Sequence, residues 1–481
     1  MEAPQPLPTR VIALDTKDPP QRAFLLETQG TKGKYVALSY CWGKSQAFTT
    51  TRETYEARTE GFSIASLPKT IRDALLATWQ IGLSFIWIDA ICIIQGDSGD
   101  WERESSKMAE VYGNAEITIS AATSPDANSG CLERSWSANK SPVAIKSRCS
   151  GTAGTGTMFL SPKVGSINDA LYRSILNSRG WCLQERILSR RVIHFTKEQL
   201  YWECQRSTIT EDGMSIEDTN ELKRCLSSSR SEESNALWSR SMRSWHRIVS
   251  EYCLRDLSHL SDKLPAISGL AKIIHQRTGA RYLAGLWLQD LPLALLWRCQ
   301  PENEKGGPAS TWRAPSWTWA SIDGAVDSQG YRPSASLLSG LLEEAGILAH
   351  SITLGSSNPF GQVTAGHLKI RARRRLGRRG GDVTQYDYGG WTGNLDSAYP
   401  VANEGGEHIG EVFFDARNGT PPVDFDCLLI RSGMTKGNDR SSYFLAITSV
   451  PHSGCYTRLG VGTIWKDRYF ASADIVEVKL V

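Results

Sequence analysis

The feature that most constrains this chain is a run of ten residues at positions 85–94, FIWIDAICII, apolar except for Asp89. It has the length of a strand. A strand that is apolar on both faces must be covered on both faces, as in a parallel sheet flanked by helices. The neighbouring segments supply the rest of such a layer. Residues 35–40 (YVALSY) read as a strand. In 67–82, Leu67, Ile71, Leu75, Thr78, Trp79 and Gly82 recur at helical spacing, with Ser66 and Pro68 as a start signal. Asp100 is the expected N-cap of the next helix, with Glu102 and Glu104 in its first turn and Trp101, Met108, Val111 and Tyr112 on one face. Residues 116–122 (EITISAA) return to strand. This alternation predicts neighbouring parallel strands at 35–40, 85–94 and 116–122, with helices at 67–82 and 101–112 over the faces.

At 481 residues the chain exceeds one ordinary core, and two to three domains are expected. Residues 1–34 read as an N-terminal extension with one strand-like stretch at 23–26. The α/β domain spans 35–210. Within it a Ser-, Gly- and Lys-rich stretch, 135–157, reads as an insertion, 179–188 as a helix, and 192–195 and 199–203 as strands. Residues 211–240, rich in Ser and charge, read as a linker or mobile loop. Helical candidates at 245–257 and 264–277 place a helical region at 241–330. Residues 331–481 form a smaller β-rich module of short alternating runs and Gly-rich loops. The 16 Trp require extensive burial wherever they fall.

Charge and cysteine usage exclude several classes. A net charge of +3 gives no global field for nucleic acid or an anionic membrane. The basic run at 371–379 (RARRRLGRR) has no interleaved aromatics, so a solvated loop or strand edge is expected there and nucleic acid is not an expected partner. The opening MEAPQPLPTR has no apolar core of a secretory signal, and no apolar stretch is long enough to span a bilayer. The 11 Cys show no CxxC pair and no HxxxH pair accompanies them, so no metal site is expected. Free thiols in a reducing, cytoplasmic setting are the expectation.

Candidate site residues gather where predicted strands end. Ser39, Tyr40, Trp42 and Gly43 follow the first strand, and ligands of open parallel sheets bind beyond the carboxyl ends of the strands. Gly43 would let a backbone approach a ligand, while Ser39 and Trp42 offer a hydroxyl and a stacking face. The plainer alternative is a turn glycine and a core tryptophan. Asp89 needs partners or a shifted pKa: loop amides, Arg179, Arg186 or a ligand would each serve. Gln95 stands just past the same run. Cys182, between Trp181 and Leu183, reads as a buried thiol rather than a nucleophile. His194 reads as a satisfied strand residue rather than a base.

Three blocks carry a family resemblance: YVALSYCWG at 35–43; LPKTIRDAL, FIWIDAICIIQ and DWERESSKMAEVYGNA within 67–115; and RGWCLQER at 179–186 with YWEC at 201–204. In this order they resemble the signature blocks of the fungal heterokaryon-incompatibility (HET) domain family. DKLPAISGLA at 262–271, YLAGLW at 282–287 and RAPSWTWASIDG at 313–324 are similar to the region that follows the domain in many members. The resemblance implies a TIR-like parallel sheet with flanking helices, and a role in non-self recognition and programmed cell death. HET domains look similar in layout to Toll/interleukin receptor domains. Plant members of that group carry a Trp-Cys-Leu-x-Glu-Leu helix start whose Glu cleaves NAD. Trp181, Cys182, Leu183 and Glu185 match that spacing, with Arg186 in place of the Leu. The resemblance therefore implies Glu185 as catalytic carboxylate, suited to an oxocarbenium-like transition state, and Ser39, Tyr40, Trp42, Gly43, Asp89, Gln95, Arg179, Trp181 and Cys182 as ligand-binding. The plainer reading of Glu185 is a solvated helix residue. No cofactor is required on this reading; NAD would be a substrate, with another nucleotide or small-molecule ligand and protein partners or self-association also implied. Two other classes remain open: a specialised-metabolite enzyme or accessory protein on the same scaffold, and a non-catalytic interaction module.

Overall fold

The computed structural model describes residues 5–44, 48–133, 143–148, 155–160, 167–211, 213–216, 222–223, 226, 234–300, 306–328, 338–380, 398–403, 405–416, 420–435, 440–466 and 468–481. The chain divides into two compact units, Met1–Ser227 and Ser228–Val481.

The first unit is built on a ten-stranded mixed sheet. Its strands are β1 Arg10–Leu14, β2 Arg22–Glu27, β3 Val36–Ser39, β4 Phe62–Ser63, β5 Phe85–Trp87, β6 Ile117–Ser120, β7 Arg191–Phe195, β8 Leu200–Cys204, β9 Thr208–Thr210 and β10 Ser215–Ile216. They lie in the order β10-β9-β8-β7-β6-β3-β5-β1-β2-β4. The central pairings β7–β6, β6–β3 and β3–β5 are parallel, so the three strands expected to be parallel neighbours are so, with β3 in the middle. All four residues of β3 are buried, as a central strand covered on both faces requires. Both flanks are antiparallel, which the alternating pattern did not reveal. The stretch read as an N-terminal extension supplies β1 and β2 to this same sheet. Arg10, buried on β1, makes a 2.5 Å ion pair with buried Asp100, a partner 90 positions away that no local pattern exposes.

Three local expectations are corrected. The run 85–94 is not one strand. β5 stops at Trp87, and Asp89–Cys92 form a single helical turn because the Asp89 carboxylate accepts the following amide, Ala90 N, at 2.7 Å. The chain then re-extends, and Ile94 bridges Thr50 in parallel. Asp100 is not the N-cap: Asp97 fills that role, accepting Asp100 N at 3.0 Å, and the helix begins earlier. The covering helix is also two helices, α2 Ser98–Ser106 and α3 Met108–Asn114, broken at Lys107. The helix preceding β5, α1 Lys69–Gln80, starts after Pro68 and buries Ile71, Ala74, Leu75 and Thr78. A further helix, α4 Gly180–Leu188, leads into β7. The insertion lies largely outside the described residues; its described part is an antiparallel hairpin, Val143–Arg148 with Thr155–Leu160. The linker region 211–240 also lies largely outside them, and helix α5, Ser234–Cys253, begins within it.

The second unit holds both the helical region and the β-rich module. α5 and α6, Ser268–Thr278, pack with a tryptophan cluster in which Trp245, Trp287, Trp317 and Trp319 are fully buried. Gly285 makes the cluster possible. Its backbone is left-handed (φ +103°), a Cβ there would lie 2.8 Å from the Trp319 indole, and its carbonyl accepts both Trp245 Nε1 (3.1 Å) and Trp319 Nε1 (2.8 Å). The strands that follow are β11 Leu338–Glu343, β12 Gly346–Leu354, β13 Val363–Arg379, β14 Tyr399–Ala402, β15 His408–Phe414, β16 Asp424–Thr435, β17 Arg440–Ser449, β18 Tyr456–Ile464 and β19 Asp474–Leu480. The pairings β13–β16–β17–β18–β15–β14–β13 close a ring, a six-stranded barrel filled by Phe414, Phe425, Leu429, Phe444 and Ile464. The basic run lies inside β13 and is neither a loop nor an edge. Three of its arginines have partners on neighbouring segments: Arg374 donates to Tyr456 Oη (2.8 Å), Arg375 to the Tyr469 carbonyl (2.5 Å), and Arg378 pairs at the surface with Asp424 (3.2 Å).

No helix among the described residues is long and apolar enough to cross a membrane.

Candidate active site

Parallel strands end on one side of a sheet, so residues just past β3 and β5 can meet. α4 packs against α3 and precedes β7, and its inward face meets the end of β3. The Ser39 hydroxyl, at the last residue of β3, donates to Glu185 Oε2 at 2.5 Å. Glu185 is buried, 5% exposed, so the reading of it as a solvated helix residue is corrected. Its inward position follows from α4's composition: Cys182, Leu183, Gln184, Glu185, Ile187 and Leu188 are all buried, and only Trp181 and Arg186 keep part of their surface in solvent.

Burial raises the Glu185 pKa, and the Ser39 hydroxyl, the Arg179 guanidinium, the Cys182 thiol and the Tyr112 phenol act against that rise. Asp89 lies close enough for the two carboxyls to feel each other. Burial, then Glu185, pushes Asp89 up to about 7, against the hold of Arg179, the Ala90 amide and the Trp42 indole. Both Asp89 oxygens accept Trp42 Nε1, at 3.0 and 2.9 Å. Arg179 precedes α4 and donates Nη1 to the Tyr40 carbonyl at 2.9 Å. Burial pulls Arg179 down, but Cys182, Glu185 and Asp89 outweigh it and keep the guanidinium charged. Two carboxyls are thus held above their usual range beside a fixed cation.

The other predicted residues take different places. Gly43 is left-handed (φ +78°), and a Cβ there would fall 2.3 Å from the Asp126 side chain, so close packing against the 126 loop requires the glycine. Gln95 donates to the Asp89 and Ile93 carbonyls (3.3 and 3.0 Å) and braces the turn after Asp89. Trp181 packs edge-on to Trp101, ring centres 6.5 Å apart. Cys182 is buried against Cys41 and Leu176, and burial, then Glu185, drives its thiol pKa well up, which removes it as a nucleophile near neutral pH. His194 is buried with Nε2 2.7 Å from Glu203. Tyr40 is buried, and burial, then Asp89, raises its phenol pKa.

Two buried polar residues escaped the sequence reading. Tyr112 donates to the Leu38 carbonyl at 3.1 Å and reaches Glu185, but on an apolar helix face it reads as core. Glu203 is a buried carboxylate that gathers Arg186, His194 and Lys223; the YWEC block marked it without showing its partners. A cavity of about 520 Å³ in the same unit, bordered by Pro8, Glu27, Tyr35 and Lys107, includes none of the predicted site residues. Among the described residues no three His, Cys, Asp or Glu side chains gather as metal ligands.

Residues 35–185, from the start of the central strand to Glu185 itself, match the family described as Heterokaryon incompatibility protein (HET). The match covers just under a third of the chain. No curated protein and no solved structure matches the chain.

Proposed function

We propose that this chain, whose residues 35–185 are a HET domain, acts in heterokaryon incompatibility through a TIR-like effector step: cleavage of the N-glycosidic bond of NAD, leading to death of the incompatible cell. One observation carries the reading. Glu185, the residue that the Trp-Cys-Leu-x-Glu spacing singles out, is held inward at the end of β3 by Ser39, with Asp89 and Arg179 beside it. In the proposed step the bond between C1′ and the pyridinium nitrogen breaks, and its electron pair leaves with neutral nicotinamide. Ionised Glu185 stabilises the positive charge that develops at C1′. Water adds to C1′ and gives up a proton, which a carboxylate near pKa 7 such as Asp89 is suited to accept. Arg179 and the Trp42 indole are suited to a phosphate and a ring of the same ligand.

The test is incubation of the purified full chain with NAD and separation of products. Nicotinamide release is expected, and Glu185→Gln or Glu185→Ala should reduce it by about 10²–10⁴-fold with the fold retained. Equal turnover by wild type and Glu185→Gln would overturn the assignment of Glu185. Absence of turnover with NAD and with a panel of other nucleotides would overturn the reaction class.

A further inference from the structure

The antiparallel hairpin Val143–Arg148 with Thr155–Leu160 pairs with no other described strand. All nine of its residues with a described exposure, 143–146 and 156–160, are exposed. A two-stranded ribbon without a covering layer is marginal in water. We propose that this hairpin docks on an anionic lipid surface, with one apolar face at the hydrocarbon boundary and its cations at the headgroups.

The register sorts its side chains. Met158 lies opposite Ile145, and Leu160 opposite Val143. Residues two apart on a strand share a face, so these four form one continuous aliphatic face. Val143 is 62% exposed, Ile145 39%, Met158 52% and Leu160 51%. Single exposed apolar residues are normal on a protein surface, but a contiguous group of them marks a contact surface. Lys146 and Phe159 stand on the other face.

Charge selects the occupant. Between Glu133 and Asp169 the sequence holds five cations (Arg134, Lys140, Lys146, Arg148 and Lys163) and no Asp or Glu. The whole chain carries only +3, so this excess is local. An apolar face set in basic sequence is the pattern of amphipathic segments that lie in the interface of an anionic bilayer. The hairpin is one strand layer thick, and sheet layers stack about 10 Å apart, so the long Lys146 stem reaches the same interface. Two other occupants fit the face less well. Single-stranded nucleic acid stacks on aromatic side chains, and this face is aliphatic. A second copy would need about 800 Å² per partner for a stable interface, more than four partly covered side chains supply, and would bring one basic segment against another.

The experiment is co-flotation of the full chain with vesicles of phosphatidylcholine alone and of phosphatidylcholine mixed with phosphatidylserine. Binding to the anionic vesicles is expected, stronger than to the neutral ones by about tenfold or more. Lys146→Ala should weaken it by about fivefold, the effect of one cation near such a surface. Met158→Asn combined with Leu160→Asn should weaken it by about tenfold or more through lost apolar contact, whereas Met158→Leu should leave it unchanged. These side chains are exposed, so the fold should survive, and circular dichroism checks it. No flotation with anionic vesicles, equal flotation with both kinds, or unchanged flotation in Lys146→Ala or in the double variant would overturn the proposal. So would a dimer in light scattering that the double variant dissolves, which assigns the face to a second copy, or binding of polyuridylate in place of vesicles. Because Glu185→Gln should float like wild type, failure here is separate from failure of the NAD reading.

Discussion

Arg186 forks onto Glu203: its Nε and Nη2 donate to the two carboxylate oxygens at 2.9 and 3.0 Å, tying α4 to β8. This contact explains a departure in the sequence. Where the resemblance implied a leucine, this chain has Arg186, and the buried Glu203 on β8 receives it. Burial acts to raise Glu203, but Arg186, Lys223 and His194 together pull its pKa well below the usual carboxylate range. Removing one partner of such a group leaves a buried charge without compensation. Glu203→Ala should therefore destabilise the first unit by about 3–5 kcal/mol. The double variant Glu203→Gln with Arg186→Leu should recover part of that loss, and urea denaturation of both proteins checks the pair.

Trp87 closes β5 at the centre of the sheet. It is 1% exposed and meets Tyr112 edge-on, ring centres 5.8 Å apart. Trp87→Ala should cost about 3–5 kcal/mol through lost transfer energy and the cavity left behind. An unchanged denaturation midpoint would contradict its place in the core.

Much of this architecture was legible because it is local. The helical spacing of Ile71 and Leu75 and the continuous apolarity of 36–38 each follow from a single element's burial. The antiparallel pairing of the flanks was not, nor was β1, whose Arg10 meets Asp100, a pairing no window contains. Asp89 shows the opposite failure. Apolar continuity predicts one strand, but a carboxylate that bonds its own following amide ends it. For the site, the resemblance pointed to Glu185 and strand ends pointed to Ser39, whereas Tyr112 was concealed by its apolar neighbours.

Gly43 separates a packing role from a binding role. Gly43→Ala should destabilise by at least about 1–2 kcal/mol, the cost of left-handed backbone for a residue with a Cβ, and Asp126 must also shift, because the new Cβ would fall 2.3 Å from its side chain. Denaturation midpoints measure this. A variant of full stability but altered ligand affinity would show that the glycine serves ligand approach instead.

Asp89 should make stability depend on pH with a defined sign. Its unfolded pKa is about 3.9, and burial, then Glu185, raises it to about 7 in the folded protein. The folded state therefore binds the proton more tightly. The contribution is fully present below about pH 4 and is lost as pH rises through about 7. Asp89→Asn removes it and still offers an oxygen to Trp42 Nε1. The variant should gain on wild type as pH climbs from about 4 to 8, read as urea midpoints across that range. A constant difference at every pH would show that Asp89 does not titrate in this window.

Ser39 should act on cleavage through the ionisation of Glu185. The reacting form in the proposed step is the carboxylate, so activity rises as pH passes through the Glu185 pKa. Burial raises that pKa and the Ser39 hydroxyl lowers it. Ser39→Ala removes the donor at 2.5 Å, so the pKa rises further and the acidic limb of the profile moves to higher pH. At any pH on that limb a smaller fraction of the variant is ionised. The ratio of wild-type to variant kcat/KM for nicotinamide release should accordingly be largest at low pH and narrow as pH increases. Ser39→Thr keeps a hydroxyl and should return the limb toward its original position. A role confined to packing would lower activity by the same factor at every pH, with no recovery from the threonine hydroxyl, and that pattern would remove Ser39 from the mechanism.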